Sequence, residues 1–199
     1  MALRSSVVLL AGMIFAVPAL AVEPCAPVAE LGLTEVDHAR LAALEASRDK
    51  GMAAARGDGG ADAADTLDAL FGQGLTPIAE LPAGDYQCRT IKLGGPFGAF
   101  TAYGFFACTV GEGPDGPVLE KRTGSQRFFG QLIESSGGLV FRGADHYSDE
   151  MPKAYDEDSE RNAVGCVSRA APEAEVYVLE FPQPFLESDH DVIELRAGD

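Results

Sequence analysis

Arg89, Lys92, Ser125 and Arg127 come from the one stretch of this 199-residue chain that carries net positive charge, and together they offer the donors of an anion site. Arg89 keeps two-residue step with Ile91 and Leu93, and Arg127 with Phe129 and Ile133, so both arginines are expected to point toward an apolar interior. A charge there needs a partner, because an unpaired buried charge is prohibitive. Two accounts satisfy that need. In the plainer one, which we favour, Glu187, Asp189 or Asp191 pairs with the arginines and ties the C-terminus to the fold; in the sharper one the four residues take a ligand anion.

Other chemistry is less well supplied. Ser125 has His190 and Asp191 as conceivable helpers for hydrolysis, but it sits in Thr-Gly-Ser-Gln-Arg without the G-x-S-x-G elbow, and an adjacent His and Asp rarely orient one another. The acidic run Asp156-Glu-Asp-Ser-Glu160 could offer oxygens to calcium; as an EF-hand loop it fails, with Arg161 where Gly is needed and Val167 where the last acid belongs. Three scattered histidines and no C-x-x-C pair argue against zinc. Neither a metal nor a cofactor is expected.

Four cysteines, Cys25, Cys88, Cys108 and Cys166, leave three disulfide connectivities open. We favour Cys88 with Cys108, which end two strand-like runs separated by a Gly-rich turn region, and by elimination Cys25 with Cys166.

These residues must be positioned by two kinds of element. Thr34, with Asp37 three residues on, opens a helical pattern that runs to Arg56, and a second fits Asp62 to Phe71 between glycines. From Gly84 the texture is short β-like runs: 85–93, 102–110, 118–123, 126–134, 139–142, 164–169, 176–181 and 192–196, with hairpin turns at Gly113-Pro-Asp-Gly116 and Ser136-Gly-Gly138. About eight strands with no helix between them predict a mainly β fold, a small antiparallel β-barrel with an N-terminal helical pair. The expected division is 1–21, 22–83 for the helical extension and 84–199 for the barrel. Phenylalanines crowd the middle and most should be core; Phe97 and Phe100, in a Gly-rich loop, are expected as an apolar rim over a barrel mouth or partner surface.

Residues 1–21 read as a signal peptide. Arg4 precedes the apolar run Val7–Val17, which is too short to span a bilayer, and Ala19-Leu20-Ala21 is a cleavage site. The mature chain, from Val22, is expected in the periplasm or outside the cell without inserting into a membrane; Pro24 before Cys25 argues against a lipoprotein. Its charge of −17 is uneven, −7 over 22–83, +1 over 84–142 and −11 over 143–199, and argues against nucleic-acid partners.

Six segments in order, Gly84-Asp-Tyr-Gln-Cys-Arg-Thr-Ile-Lys-Leu-Gly94, Phe106-Ala-Cys108, Thr123-Gly-Ser-Gln-Arg127, Val140-Phe-Arg-Gly143, Asn162-Ala-Val-Gly165 and Glu187-Ser-Asp-His-Asp-Val-Ile-Glu-Leu195, resemble the bacterial domain-of-unknown-function family 4893 over roughly 33–196. The resemblance implies an exported protein and brings no catalytic residues with it. Cys25 and Cys166 stand outside the family pattern, and the usual tryptophans of the helix and the late strand are missing. The Gly-x-aromatic start of the first strand also resembles lipocalin-like barrels and small protease-inhibitor barrels, with Tyr86 in place of Trp. The expected function is therefore a monomeric, non-enzymatic binding module holding a small molecule or a protein at one mouth. The alternative is an inhibitor or interaction protein for a basic envelope or secreted partner; a hydrolase comes last.

Overall fold

The computed structural model describes residues 25, 29–135, 137–171, 175–185 and 187–198. The proposed signal peptide and its cleavage point lie outside the described residues. Three helices, α1 (Glu35–Ala42), α2 (Leu44–Asp58) and α3 (Gly60–Phe71), precede ten strands: β1 (Thr76–Pro77), β2 (Gly84–Leu93), β3 (Phe100–Ala102), β4 (Phe106–Gly113), β5 (Gly116–Lys121), β6 (Gln126–Ser135), β7 (Gly138–Tyr147), β8 (Asn162–Arg169), β9 (Val176–Pro182) and β10 (His190–Ala197).

Each strand from β4 to β10 pairs antiparallel with the next, β2 pairs with β4, and β10 returns to β2 from Tyr86↔Ala197 to Leu93↔His190. This closes an eight-stranded up-and-down barrel with no open edge. The two other strands lie outside the ring, β1 on β8 and β3 on β2. All eight predicted strands are present. The predicted 102–110 run is interrupted, because Phe100–Ala102 follows the end of β2 while β4 follows its beginning, and Tyr103–Phe105 bulge between them.

Inward positions of the lower barrel form one apolar cluster that includes Tyr86, Leu119, Leu139, Val167, Leu179 and Leu195. Across its middle Phe128, Phe141 and Phe181 meet edge to face at centroid distances of 5.5 to 5.9 Å. The opposed Gly130 and Gly143 make room for them, since a Cβ on either would come within 2.7 Å of the Phe141 ring. Cys88 and Cys108 are bonded diagonally across β2 and β4, and Cys25 is bonded to Cys166 on the outer side of β8. Both pairs match the favoured connectivity.

The helices cover the outer wall. Thr34 caps α1 by accepting from the Asp37 N–H, as the sequence pattern requires. The first predicted helix is divided at Ala43, where ψ turns to 13°: α1 lies on β8 and β9 and α2 on β9, β10 and β2, so the helix bends to follow a curved wall. Gly51 lets α2 lie flat on the barrel, because a Cβ there would meet the Cβ atoms of His190 and Leu93 at 2.9 Å. Leu67, Leu70 and Ala55 pack on Ile91, Leu93, Val178 and Val192, which gives these strands a second buried face. Among the described residues no helix is long and apolar enough to cross a membrane.

Candidate ligand site at the barrel mouth

Above the phenylalanine layer the lumen changes character. Strand alternation continues the inward rows from Tyr86 and Cys88 to Thr90 and Lys92, from Leu119 to Lys121, from Phe141 and Gly143 to Asp145, and from Ile193 to Asp191. Two lysines and two aspartates thus share one end of the barrel. They line a pocket floored by Phe128 and Phe181 and bordered by Arg40, Arg161 and Tyr147. The pocket offers about 70 Å³ to the centres of water molecules, and about 740 Å³ when its open mouth and the gaps around its lining are counted.

The four charges are unequally satisfied. Lys92 Nζ lies 2.8 Å from Glu187 Oε2 and 3.7 Å from Asp191 Oδ2; burial works against its charge, but the two carboxylates outweigh this and hold its pKa above the usual lysine value. Asp191 accepts from the Ser188 hydroxyl and is pushed upward by burial, with Lys92 opposing. Lys121 is 5 % exposed, donates to Thr90 Oγ1 at 3.2 Å and lies 4.9 Å above the Phe106 ring. Burial, helped by Lys92, draws its pKa down to about 8 against the pull of Asp145 and Asp191. Asp145 is exposed at the mouth, although protein crowds the space around its carboxylate. That crowding, with Asp191 nearby, pushes its carboxyl up to about 7 against Lys92, Arg40 and Arg161, and the water in the pocket tempers the push.

A second set of buried charges lies on the outer wall, beneath α1 and α2. Glu180, wholly buried, accepts both arms of the Arg48 fork at 2.6 and 2.7 Å, and its Oε1 is 3.1 Å from His190 Nε2. His190 Nδ1 lies 3.0 Å from Ser47 Oγ, which donates to the Asp189 carbonyl and accepts from the Gln183 N–H. Burial raises the Glu180 pKa, but His190 and Arg48 overcome it and hold it below the usual value. Arg40 joins the two regions: it bonds Asp37 at 2.9 Å and the Asn162 and Gln183 carbonyls, and its guanidinium covers the Phe185 ring at the mouth.

Of the sequence-derived site residues, Lys92 and Arg127 border the pocket, whereas Arg89 and Ser125 do not. The two arginines do not point inward. Arg89 alternates with Ile91 and Leu93 on the outer face and meets its cross-strand neighbour Glu194 at 2.6 Å; Arg127 does so with Phe129 and Ile133, and its Nε donates to the Gly124 carbonyl. The two-residue period is as read, but β2 is buried on both faces, so an apolar row does not identify the lumen. The expected partners go elsewhere as well, Glu187 and Asp191 to Lys92 and Asp189 to Lys50. Ser125 is exposed on the β5–β6 turn, while His190 and Asp191 occupy opposite faces of β10.

Phe97 is 80 % exposed and flanks a shallow hollow next to Lys92; Phe100 instead packs on the α2–α3 junction beside Gly59. In the acidic run, Glu157 and Asp158 accept backbone N–H groups. Among the described residues no His, Cys, Asp and Glu group could hold a metal ion.

The decisive match is to a family profile, over residues 31–195. The chain belongs to the DUF4893 family, a domain of unknown function. No curated protein and no solved structure matches it. The matched span takes in the barrel through Leu195 and all three helices, so both sets of buried charge fall within the family domain. Sequence reasoning missed Thr90, Lys121, Asp145 and Arg40. A signal was present for two of them: Lys121 stands two residues after Leu119, and Asp145 continues the Leu139, Phe141, Gly143 row once β7 is carried past Arg142 to Tyr147.

Proposed function

We propose that this protein is an exported, non-enzymatic binding module that holds a small polar molecule at the mouth of its barrel. The observation that carries this reading is the under-paired lumen: among the described residues Lys121 and Asp145 face one open pocket without a counter-charge in contact, while Glu180 and Asp37 on the outer wall are each matched by an arginine. Export is supported by two disulfides, which persist in oxidising compartments, and by the leader-like sequence before Val22. The lower barrel is filled by aromatic and aliphatic side chains, which favours a small polar ligand over a long apolar one.

The test is thermal denaturation of the mature protein, followed by circular dichroism, with small anions, cations and neutral polyols added in turn. A saturable rise in Tm that disappears when Ala163→Phe fills the pocket, or in Thr90→Leu, supports the reading. No shift with any of them, together with no co-purifying molecule in native mass spectrometry, overturns it.

A further inference from the structure

We propose that the ligand is a short-chain monocarboxylate whose acid group sits on the Lys121 ammonium and the Thr90 hydroxyl; this rests on the mouth being a binding site. Lys121 is the argument. The residue is 5 % exposed, and its ammonium has three hydrogens to place, with one hydroxyl and the face of a ring to receive them. No carboxylate lies within ion-pair distance of it among the described residues, in a chain with 31 acids and 15 bases. Arg40, Arg48 and Lys92 each have a carboxylate. A buried ammonium left in this condition is costly, and an incoming anion relieves it.

The surroundings narrow the class. Five basic side chains border the pocket against three acidic ones, the reverse of the chain as a whole, and Arg40 and Lys92 are already engaged. Of the bases at the pocket, Lys121 is the buried one without a carboxylate, while Arg127 lies on the outer face of β6 and donates to the Gly124 carbonyl; one buried ammonium balances one negative charge, which suits a monoanion better than a phosphate dianion. Phe128 and Phe181 floor the pocket and give a short alkyl end an apolar surface, and the limited space excludes a long one.

Asp145 sets the conditions of binding. It is faced by Lys92 from β2, Lys121 from β5, Arg127 from β6, Asp191 from β10, Arg40 from α1 and Glu160 and Arg161 from the turn before β8, and its own strand adds His146 and Tyr147. Crowding pushes its carboxyl upward, and the water at the mouth limits the rise. An arriving anion favours the protonated form, which no longer repels it and can donate a hydrogen bond to it, so binding takes up a proton.

The experiment uses sodium propionate, propionamide, inorganic phosphate and ethanolamine as probes at fixed ionic strength, on the mature protein and on Lys121→Met and Lys121→Gln. Binding is read by Tm and by the Lys Cε–H resonances, with calorimetry in two buffers of different ionisation enthalpy. Propionate is expected to bind saturably and to shift one lysine. Its affinity should fall roughly tenfold or more in both variants, the loss of one charge-assisted contact. It should also weaken as pH rises from about 6 to about 8, with net proton uptake. Equal affinity for propionamide, or unchanged propionate affinity in both Lys121 variants, overturns the anion assignment. So does phosphate binding more tightly than propionate. If ethanolamine shifts the lumen resonances and propionate does not, the anion class falls and the binding reading stands; if no probe binds and no ligand co-purifies, both fall.

Discussion

The outer wall under the helices and the lumen at the mouth both bury charge, and they treat it in opposite ways. Under α2, Glu180 receives a two-pronged arginine and a histidine, and the serine beside that histidine spends its hydroxyl on backbone groups. Under α1, Asp37 takes Tyr155, Asn162, Thr34 and Arg40; burial opposes its ionisation, and these donors still hold its pKa low. At the mouth, buried Lys121 and the exposed Asp145 beside it have no such satisfaction among the described residues, and their titration is drawn toward neutrality from both sides. Buried charge that is fully hydrogen-bonded positions secondary structure. Buried charge that is left short, in a pocket open to solvent, is poised for a ligand.

Breaking the outer set should cost most. Arg48→Met leaves Glu180 wholly buried with His190 alone, and stability should fall by about 3–5 kcal/mol in urea unfolding. A loss under about 1 kcal/mol would mean that the wall pairs are as loosely held as those of the lumen. Arg89→Met is milder, because Arg196 still donates to Glu194 at 2.6 Å; a loss of about 1–2 kcal/mol is expected.

The lumen shows its difference in pH dependence. Asp145 has a folded pKa above its unfolded one, so the native state holds the extra proton, and this group's contribution to stability falls as pH rises through the window from about 4 to about 7. The difference in unfolding free energy between Asp145→Asn and wild type should therefore move in the variant's favour across that window and level off above it. Glu180 runs the other way: its pKa is depressed, and its contribution is lost as pH falls through its folded value. A flat difference for Asp145→Asn would remove Asp145 from the poised set.

Much of this architecture was legible in the sequence. Alternation located all eight barrel strands, turn chemistry located the β4–β5 and β6–β7 connections, although Ser136 lies outside the described residues, and Thr34 with Asp37 located the helix start. What failed was the choice of face. Ile91 and Leu93 look like lumen residues because they are apolar, yet they are buried from outside by α2 and α3; the true inward row of β2 ends in Thr90 and Lys92, which look like surface. A polar lumen inverts the usual pattern, and hydropathy cannot tell it from solvent. The carboxylate partners were misassigned for a related reason. Arg89 meets Glu194 through strand register, and register depends on the β2–β10 closure, which no local pattern records.

The contrast between wall and mouth is tested most directly by the sign of one substitution, Lys121→Met, measured in ligand-free protein at about pH 7. Removing an ammonium that is buried without a counter-charge should raise unfolding stability, by about 1–3 kcal/mol from a pKa drawn from 10.5 to about 8, whereas Arg48→Met lowers it. A loss of several kcal/mol in Lys121→Met, matching Arg48→Met, would show that Lys121 is a strut like the charges under the helices and would contradict the account.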